Sequence, residues 1–454
     1  MRDLLKRTVS CRCRHHAMPV PSTQVKRFWH RWYVLEELLS DCLLALEYGA
    51  DLVYTEEIVD QRLLNSRRIV NDVLHTVDYV IEEDVVLRVA TERERNKCVL
   101  QVGTNNGDRI AAVAKKVHDD IAAIDVNMGC PKPFSLTGGM GAALLTQPDK
   151  IKEILTSLVS VSSVPVSCKI RVLDKLEDTL ALVRLIEKCG VAAVGVHGRR
   201  RDERQGDANR VNEIREVVRA LSIPVIANGA SGMVKEFKDV EQFRKESEAS
   251  SIMLARRALS NPSIFRPQGL LTMQEEVTNF LKLACEFDEN FTMTKYVVQR
   301  ILGNQQEFDP RGRATVLAAS VSEICEAWSM RDVCENFKNQ RLHGSKRKEV
   351  SDAETGIRFI DLTFPPKRLR DRCGARTPKC VLNELCDESG IERPIYDCKF
   401  RPNDKRYEAL IEVDGCKFLS RVGQPNKRMA EQVAALAALV GLGKRGRLEG
   451  NWEE

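Results

Sequence analysis

The chain has 454 residues, of which 43% are hydrophobic and 30% charged, so it can form two or three domains with large cores. The formal charge is only +5, and residues 1–35 alone carry eight Lys or Arg residues against one acidic residue. No stretch of about 18 apolar residues and no apolar signal core is present, which predicts a soluble protein that does not cross a membrane.

The 15 cysteines are scattered along the chain. Cys98, Cys168 and Cys325 fall in predicted strands or helices, which favours reduced, buried thiols and a cytoplasmic location over a disulfide framework. The Cys11–Cys13 pair precedes two histidines, but the spacing and second ligand pair of a zinc site are missing, so we predict no metal site. The Arg-rich start also has some features of a mitochondrial transit peptide, which makes a mitochondrial location the alternative.

Short apolar runs recur between residues 52 and 256 and are separated by stretches of helical period. Nearly continuous apolar strands are typical of parallel sheet buried on both faces. Because polar or glycine-rich tips follow nearly every run, we predict an α/β TIM (β/α)8 barrel over residues 42–262 rather than a doubly wound sheet. The runs are Leu52–Glu56, Cys98–Gly103, Ala122–Asn127, Val166–Arg171, Ala193–Gly198, Pro224–Gly229 and Ser251–Arg256.

The character of the sequence changes after the barrel. Residues 263–338 contain helical periods without strands, for example Val277–Ala284 and Ala314–Ile324, and predict a small helical domain. Residues 339–375 are polar and predict a linker.

Residues 376–443 predict a third domain, followed by a tail at 444–454. A helix at Pro378–Cys386 precedes three strands and a basic final helix, and the order αβββα is the pattern of a double-stranded RNA-binding domain. We expect Lys427 and Arg428 to bind RNA phosphates, with Lys379 near the same RNA. The strands lie near Tyr396–Phe400, Tyr407–Val413 and Lys417–Val422, with a turn at Asp414-Gly415.

Cys130 stands out at a predicted strand end. Gly129 and Pro131 flank it, so the strand ends sharply and the thiol is expected at the rim of the barrel. A glycine-dense loop over residues 135–142 follows and allows close approach of a ligand. A thiol with a pKa of about 8.5 is mostly protonated at neutral pH and can act as a general acid. The alternative for an isolated cysteine is a buried structural thiol.

Lys169 and His197 end consecutive strands and are expected to face the same mouth, where they suit an electron-rich ring. Taken singly, each could instead be a snorkelling lysine or a satisfied core histidine. The loops at 228–232 and 255–257 follow the seventh and eighth strands, where barrels commonly bind phosphate. Gln101 could contact a flat heterocycle, or could be a polar core residue.

Several motifs together resemble the tRNA-dihydrouridine synthases. With the helical and RNA-binding domains, the layout is similar to the eukaryotic branch that reduces uridine 20 in the D loop of tRNA. The likeness extends from about Cys42 to Leu439. The motifs are Asp125–Lys132, Gly138–Leu145, Cys168–Arg171, Val196–Arg199 and Ile226–Gly229.

The resemblance implies a flavin barrel that uses FMN with NADPH, or NADH, as reductant and tRNA as substrate. It implies that Cys130 protonates C5 of uracil while the flavin delivers hydride to C6, and that Lys132 and Arg199 hold RNA. Position 230 is more often glycine in the family. The implied cofactor residues are Gln101, Lys169 and His197 around the isoalloxazine ring, and Asn228, Gly229, Ala230, Ala255 and Arg256 around the phosphate.

Residues 1–41 depart from the family pattern. The Ala-Pro-Met segment that ends the first strand is absent, and a basic and aromatic sequence, including Phe28–Tyr33, takes its place. Such a cluster could bind nucleic acid, although we favour an altered exon or translation start. We therefore expect a barrel that lacks one strand, with two exposed edges and part of its flavin floor missing.

Two other functions remain open at this point. A flavin barrel could act on a free pyrimidine, although a small substrate does not need an RNA-binding domain. The chain could also be a non-catalytic RNA-binding protein that retains the fold. The oligomeric state is left open, with a monomer favoured.

Overall fold

The computed structural model describes residues 33–36, 39–81, 84–204, 206–346, 350–351, 356–360, 362, 377–401 and 406–444. The chain divides into two compact units, Met1–Cys334 and Glu335–Glu454, and each is described by itself. The predictions for residues 1–32, for the tail beyond Lys444 and for most of the linker lie outside the described residues.

The first unit alternates strands and helices. Its described strands are β1 (Tyr33–Glu36), β2 (Leu52–Tyr54), β3 (Ile58–Val59), β4 (Arg67–Asn71), β5 (Thr76–Ile81), β6 (Asp84–Ala90), β7 (Cys98–Gly103), β8 (Ala123–Met128), β9 (Val166–Arg171), β10 (Ala193–His197), β11 (Val225–Asn228) and β12 (Ser251–Leu254). Its described helices are α1 (Leu39–Glu47), α2 (Asp60–Asn65), α3 (Gly107–Val117), α4 (Pro133–Thr137), α5 (Pro148–Val161), α6 (Leu176–Lys188), α7 (Val211–Ala220), α8 (Phe237–Ser247), α9 (Arg256–Ser260), α10 (Met273–Glu286), α11 (Phe291–Leu302), α12 (Pro310–Leu317), α13 (Val321–Ala327) and α14 (Arg331–Lys346), the last of which ends beyond Cys334.

Eight parallel strands form a closed ring. The ring runs from β1 through β2, β7, β8, β9, β10, β11 and β12, and β12 pairs again with β1. In β1, Val34 is opposite Met253 of β12 and Leu52 of β2. The predicted TIM barrel is confirmed, whereas the expectation that its first strand is missing is wrong. Because both edges of β1 are paired, the barrel has no open edge.

The barrel wall is buried on both faces. All six residues of β7 are buried, which explains why its sequence is almost continuously apolar. The surrounding helices contribute apolar stripes, and on α5 the buried residues recur at the spacing that places them on one helix face. These residues are Ile151, Ile154, Leu155 and Leu158. The packing leaves the carboxyl ends of the strands open as a mouth.

A three-stranded antiparallel sheet of β4, β5 and β6 is inserted before β7 and was not predicted. Arg68 makes two hydrogen bonds of 2.7 Å to the carboxylate of Asp120, which also accepts a 2.6 Å bond from the Tyr79 hydroxyl. Arg88 pairs with Asp78 and donates to the carbonyl of Phe287 at 2.7 Å. The insertion is therefore fixed both to the barrel and to the helical domain.

The region predicted as a helical domain contains α10 to α13 and the start of α14, and it belongs to the same compact unit as the barrel. The helical period over Ala314–Ile324 is, however, divided between α12 and α13. Ser320 ends the connection by accepting a hydrogen bond of 3.2 Å from the Glu323 N–H, so it acts as the N-cap of a new helix.

The second unit has the predicted αβββα order. Its elements are β13 (Val350–Ser351), β14 (Ile357–Phe359), α15 (Pro378–Ser389), β15 (Ile395–Arg401), β16 (Arg406–Val413), β17 (Cys416–Leu419) and α16 (Lys427–Gly441). Asp414 and Gly415 both have positive φ, as a two-residue hairpin turn requires. The predicted linker contributes β13 and β14, since β14 pairs in parallel with β17. Residues 339–375 are thus not entirely a linker.

The cysteines among the described residues are free, in agreement with the prediction of reduced thiols. Cys98, Cys168 and Cys325 are fully buried. A search of the described helices finds none with the length and apolar character needed to span a bilayer.

Candidate active site

A cavity of about 670 Å³ lies at the carboxyl ends of the barrel strands. Its walls come from the ends of β9 to β11, the loop after β8, α9 and one face of α11. Cations dominate the lining, so the cavity favours an anionic ligand. The charged lining residues are Lys132, Lys169, Arg171, Arg199, Glu203, Arg204, Arg256 and Arg300.

Lys169 lies in the cavity wall near the centre of β9. It is 8% exposed, and its ammonium forms no ion pair with any residue in the described part of the chain. Gly195 on β10 leaves room for the lysine stem, because a Cβ there would lie 3.2 Å from Lys169 Cγ. A nearly buried cation without an anion is costly, and contact of Lys169 with a bound ligand stays a prediction.

His197 is a neutral hydrogen-bonding group. Burial, followed by the nearby cations Lys169 and Arg171, lowers the pKa of His197 to about 2. The Arg199 Nη1 lies 3.2 Å from His197 Nε2, and a guanidinium can only donate. The ring proton is therefore on Nδ1, and His197 offers one N–H donor at the cavity wall.

Arg199 lies deeper than expected for an RNA contact. It is 4% exposed, and its Nη1 donates to the carbonyl of Gly229 at 2.8 Å while its Nε donates to the carbonyl of Asp207 at 2.7 Å. These bonds hold the guanidinium under the loop after β11. Arg199 lines the cavity rather than the outer surface of the barrel, and its contact with an RNA phosphate or base stays a prediction.

The loop predicted to bind phosphate has a tightly packed backbone that requires glycine. Gly229 has φ +111°, and a Cβ there would lie 2.7 Å from His197 Cδ2 and would overlap Asn209 Oδ1. Asn228 Nδ2 donates to the carbonyl of Met253 at 2.9 Å, which ties this loop to the end of β12. Ala230 is fully buried at the start of a 3-10 helix. The two loops therefore meet at one end of the cavity, where Ala255 and Arg256 also contribute to the lining.

Gln101 is fully buried in the barrel interior and is not among the residues that line the cavity. Its Nε2 donates to Asp125 at 3.1 Å, and its Oε1 accepts from Asn127 at 2.7 Å. Asn127 Oδ1 in turn accepts from the backbone N–H groups of Gly129 and Cys130, at 3.0 and 2.9 Å. The buried amides thus shape the turn that carries Cys130, and contact of Gln101 with a heterocycle stays a prediction.

Cys130 is half-buried at the end of β8, as predicted. Burial, followed by a hydrogen bond to Glu57, raises the pKa of its thiol. The backbone N–H of Lys132 and the Ser135 hydroxyl act in the opposite direction. The net result is a thiol that stays protonated at neutral pH, as a general acid must be.

The other residues predicted to bind RNA differ in their exposure and in their ion pairs. Lys132 is exposed at the cavity rim, and Lys427 and Arg428 are exposed in the first turn of α16. Lys379, in contrast, pairs with Glu431 at 2.5 Å and lies 4.4 Å from the centre of the Tyr396 ring. Its ammonium is thus paired within the second unit, and its contact with RNA stays a prediction.

Residues 47–354 match the family described as dihydrouridine synthase, and residues 378–442 match the double-stranded RNA binding motif. The first match covers more than half of the chain. The chain belongs to the dihydrouridine synthase family.

Two fungal relatives are similar to part of this chain, which spans about half the length of the first of them. The tRNA-dihydrouridine(20) synthase of Schizosaccharomyces pombe is 38% identical over 272 residues, 57% of this chain and 56% of the relative. The enzyme of the same name from Saccharomyces cerevisiae is 33% identical over 289 residues, 59% of this chain and 74% of the relative. A mutant RNA-binding domain of human tRNA-dihydrouridine(20) synthase is 26% identical, with a TM-score of 0.18, and covers 20% of this chain and 89% of that structure.

Several residues at the family site were not identified from sequence. Arg171 belongs to a motif that was recognised, but only the fold shows that it lines the cavity. Tyr296 and Arg300 come from α11 of the helical domain, and no local pattern marks them. Glu57 and Ser135 lie 78 residues apart and meet beside Cys130. The sequence offered one indication, which is that Glu57 comes just after an apolar strand.

Away from the barrel mouth, one group among the described residues brings three cysteine sulfur atoms within 4.8 Å of one another. Cys285, Cys325 and Cys334 are all buried, and the first two sulfur atoms are 3.5 Å apart. The sequence argument against a metal site concerned Cys11 and Cys13, not these three cysteines. Hydrogen bonds among the thiols in an apolar helical core account for their burial.

Proposed function

We propose that this chain reduces uridine to 5,6-dihydrouridine in the D loop of tRNA, at position 20, with FMN as cofactor and NADPH as reductant. Family membership and the names of the two fungal relatives support the reaction and the position. The single observation that carries the proposal is the arrangement at the mouth. A protonated thiol, Cys130, stands beside a cavity whose lining is dominated by cations and includes the neutral donor His197.

The residues of the cavity fit FMN. Lys169 and the Nδ1–H of His197 would face the electron-rich ring, and Gln101 would contact its polar edge from the barrel interior. The loop at Asn228, Gly229 and Ala230 would hold the phosphate together with Ala255 and Arg256. The fit is supported by the nearly buried Lys169, which has no ion pair within the described part of the chain. It is also supported by Gly229, because the positive φ and the close neighbours His197 and Asn209 require glycine in this loop. When bound, FMN supplies the hydride that adds to C6 of uracil.

Cys130 supplies the matching proton. Hydride addition to C6 leaves negative charge across C5 and O4 of the ring, and the Cys130 S–H bond breaks as the proton forms a bond to C5. The raised pKa keeps the thiol in the required state at neutral pH. Asn127 orients the turn through its bonds to the Gly129 and Cys130 N–H groups.

The substrate base must leave its stack in the tRNA to reach the cavity, which costs a few kcal/mol. Lys132 at the rim and Arg300 from α11 are placed to offset this cost by binding phosphate near the mouth. In the second unit, Lys427 and Arg428 are exposed at the start of α16 and suit the phosphates of an RNA duplex.

The test uses the purified full chain, FMN, NADPH and an unmodified tRNA transcript. The proposal predicts a bound-flavin spectrum and NADPH oxidation that depends on the tRNA. A flavin spectrum with oxidation driven by free uridine or another pyrimidine would favour the small-pyrimidine enzyme. RNA binding without any flavin would favour a non-catalytic RNA-binding protein.

A further inference from the structure

Glu57 connects the second barrel strand with the loop that carries Cys130. It lies between β2 and β3, at the carboxyl end of β2. Its Oε1 accepts a hydrogen bond of 3.2 Å from Ser135 Oγ, and its carboxylate is also hydrogen-bonded to the Cys130 thiol. One carboxylate therefore receives two donors from the loop after β8.

The surroundings of this carboxylate are closely packed. A Cβ on Gly103 would lie 2.8 Å from Glu57 Oε1, and a Cβ on Gly141 would overlap Ser135 Oγ and lie 2.7 Å from the Cys130 carbonyl. The same carbonyl accepts a 2.9 Å bond from the Ala142 N–H. Glycines at 103 and 141 thus leave space that the carboxylate, the hydroxyl and the Cys130 turn fill, which fixes their relative positions.

We propose that Glu57 is a positioning residue for the catalytic acid. It accepts a hydrogen bond from the Cys130 thiol, holds the sulfur in one orientation with the help of Ser135, and keeps the thiol protonated until the base is bound. The proposal rests on the proposed function for its catalytic meaning. After the proton moves from sulfur to C5, the nearby carboxylate disfavours the thiolate and promotes its reprotonation from water.

Other groups also face Cys130. Arg171 on β9 donates its Nε to the Gly129 carbonyl at 2.8 Å and lies close enough to interact electrostatically with the thiol. The Lys132 N–H and the Ser135 hydroxyl favour the thiolate, whereas burial and Glu57 oppose it. Glu57 is the negatively charged member of this set, so removal of its charge is expected to lower the pKa of the Cys130 thiol.

The test measures the pH dependence of Cys130 alkylation by iodoacetamide in the folded full chain, followed by mass spectrometry of the Cys130 peptide. Only the thiolate reacts. In E57Q the midpoint is expected to fall by about one pH unit, which makes alkylation at pH 7.5 about tenfold faster. The matched control is E56Q, which removes an exposed neighbouring carboxylate and should leave the midpoint unchanged.

An unchanged midpoint in E57Q, or an equal shift in E56Q, would overturn the proposal. If E57Q does not fold, S135A decides. S135A removes the hydroxyl that donates to Glu57 Oε1, so the negative charge of the carboxylate beside the thiol is less compensated. The midpoint of Cys130 alkylation is then expected to rise, and a lower or unchanged midpoint contradicts the arrangement. Alkylation needs neither tRNA nor flavin, so the result stands even if the proposed uridine reduction is refuted. In an active enzyme, E57Q should also move the alkaline limb of kcat to lower pH without changing KM.

Discussion

At the residue scale, charge and burial act together in the cavity. Lys169 and Arg199 are nearly buried cations, and they flank a histidine that burial keeps neutral. A protonated His197 would add another positive charge among them, which is why its pKa is so low. His197 thus remains a neutral hydrogen-bonding group over the physiological pH range.

This neutral histidine makes stability depend on pH. Folded His197 stays neutral down to about pH 2, whereas the unfolded chain takes up its proton below about pH 6.5, so its contribution is fully present above pH 6.5 and is lost as the pH falls. On going from pH 7.5 to pH 5.5, His197 should lower the free energy of unfolding of the wild type by about 1.4 kcal/mol. Urea unfolding of H197Q should show a pH dependence smaller by that amount. The same pH dependence in both proteins would contradict the assignment.

The sequence predicted which residues group at the site better than it predicted how deeply each side chain is buried. Cys130 follows β8, His197 is the last residue of β10 and Lys169 lies two residues before the end of β9. Strand ends converge in a parallel barrel, so the grouping of these residues was predictable. Gln101 and Arg199 are held by buried partners, Asp125 and the Gly229 carbonyl, that no local pattern reveals.

Glu57 escaped sequence reasoning for a related reason. Its partners Cys130 and Ser135 lie more than seventy residues away, on the far side of an inserted sheet and two barrel strands. Only the closed ring brings the end of β2 beside the loop after β8. Contacts of this kind need the fold, because neither periodicity nor spacing encodes them.

At the element scale, strand prediction depended on length and context. The runs from Cys98 to Leu254 form strands within two residues of their predicted bounds, because they are apolar on both faces. β1 was missed because Tyr33–Glu36 is short and follows a basic, aromatic segment. The β13 and β14 strands were missed because two or three residues in a polar stretch carry no clear alternation.

The role of β1 can be tested with proline. Val34 is paired with β12 on one side and with β2 on the other. Proline has no backbone N–H and is tolerated in sheets only where that side of the strand faces solvent, which is not the case for V34P. The substitution should destabilise the barrel by about 3 kcal/mol. V34T, which keeps a β-branched residue, is the control and should be far milder. Thermal unfolding measures both, and equal melting temperatures would show that the barrel does not depend on this strand.

At the scale of the whole molecule, the proposed function assigns different parts of recognition to the barrel and to the RNA-binding domain. The barrel contains the cavity, and the second unit presents Lys427 and Arg428 on α16. Phosphate contacts add affinity without sequence information. We therefore expect the second unit to increase tRNA affinity while the barrel determines the chemistry.

The double variant K427A with R428A tests this division. Two lost phosphate contacts should weaken tRNA binding and make its salt dependence shallower by about two in the logarithmic slope, while the flavin content stays unchanged. The charge-matched control is R184A with K188A, two exposed residues toward the end of α6, at the barrel face opposite the cavity. Equal losses in both double variants would mean that net charge alone explains the effect.

The most direct test of the central claim is mass mapping of dihydrouridine in an unmodified tRNA transcript treated with the full chain, FMN and NADPH. The account predicts that the D-loop fragment containing uridine 20 gains the mass of two hydrogen atoms. It also predicts that C130A binds flavin normally but forms product at least about a hundredfold more slowly. No gain in mass with wild type, or undiminished turnover in C130A, would contradict it.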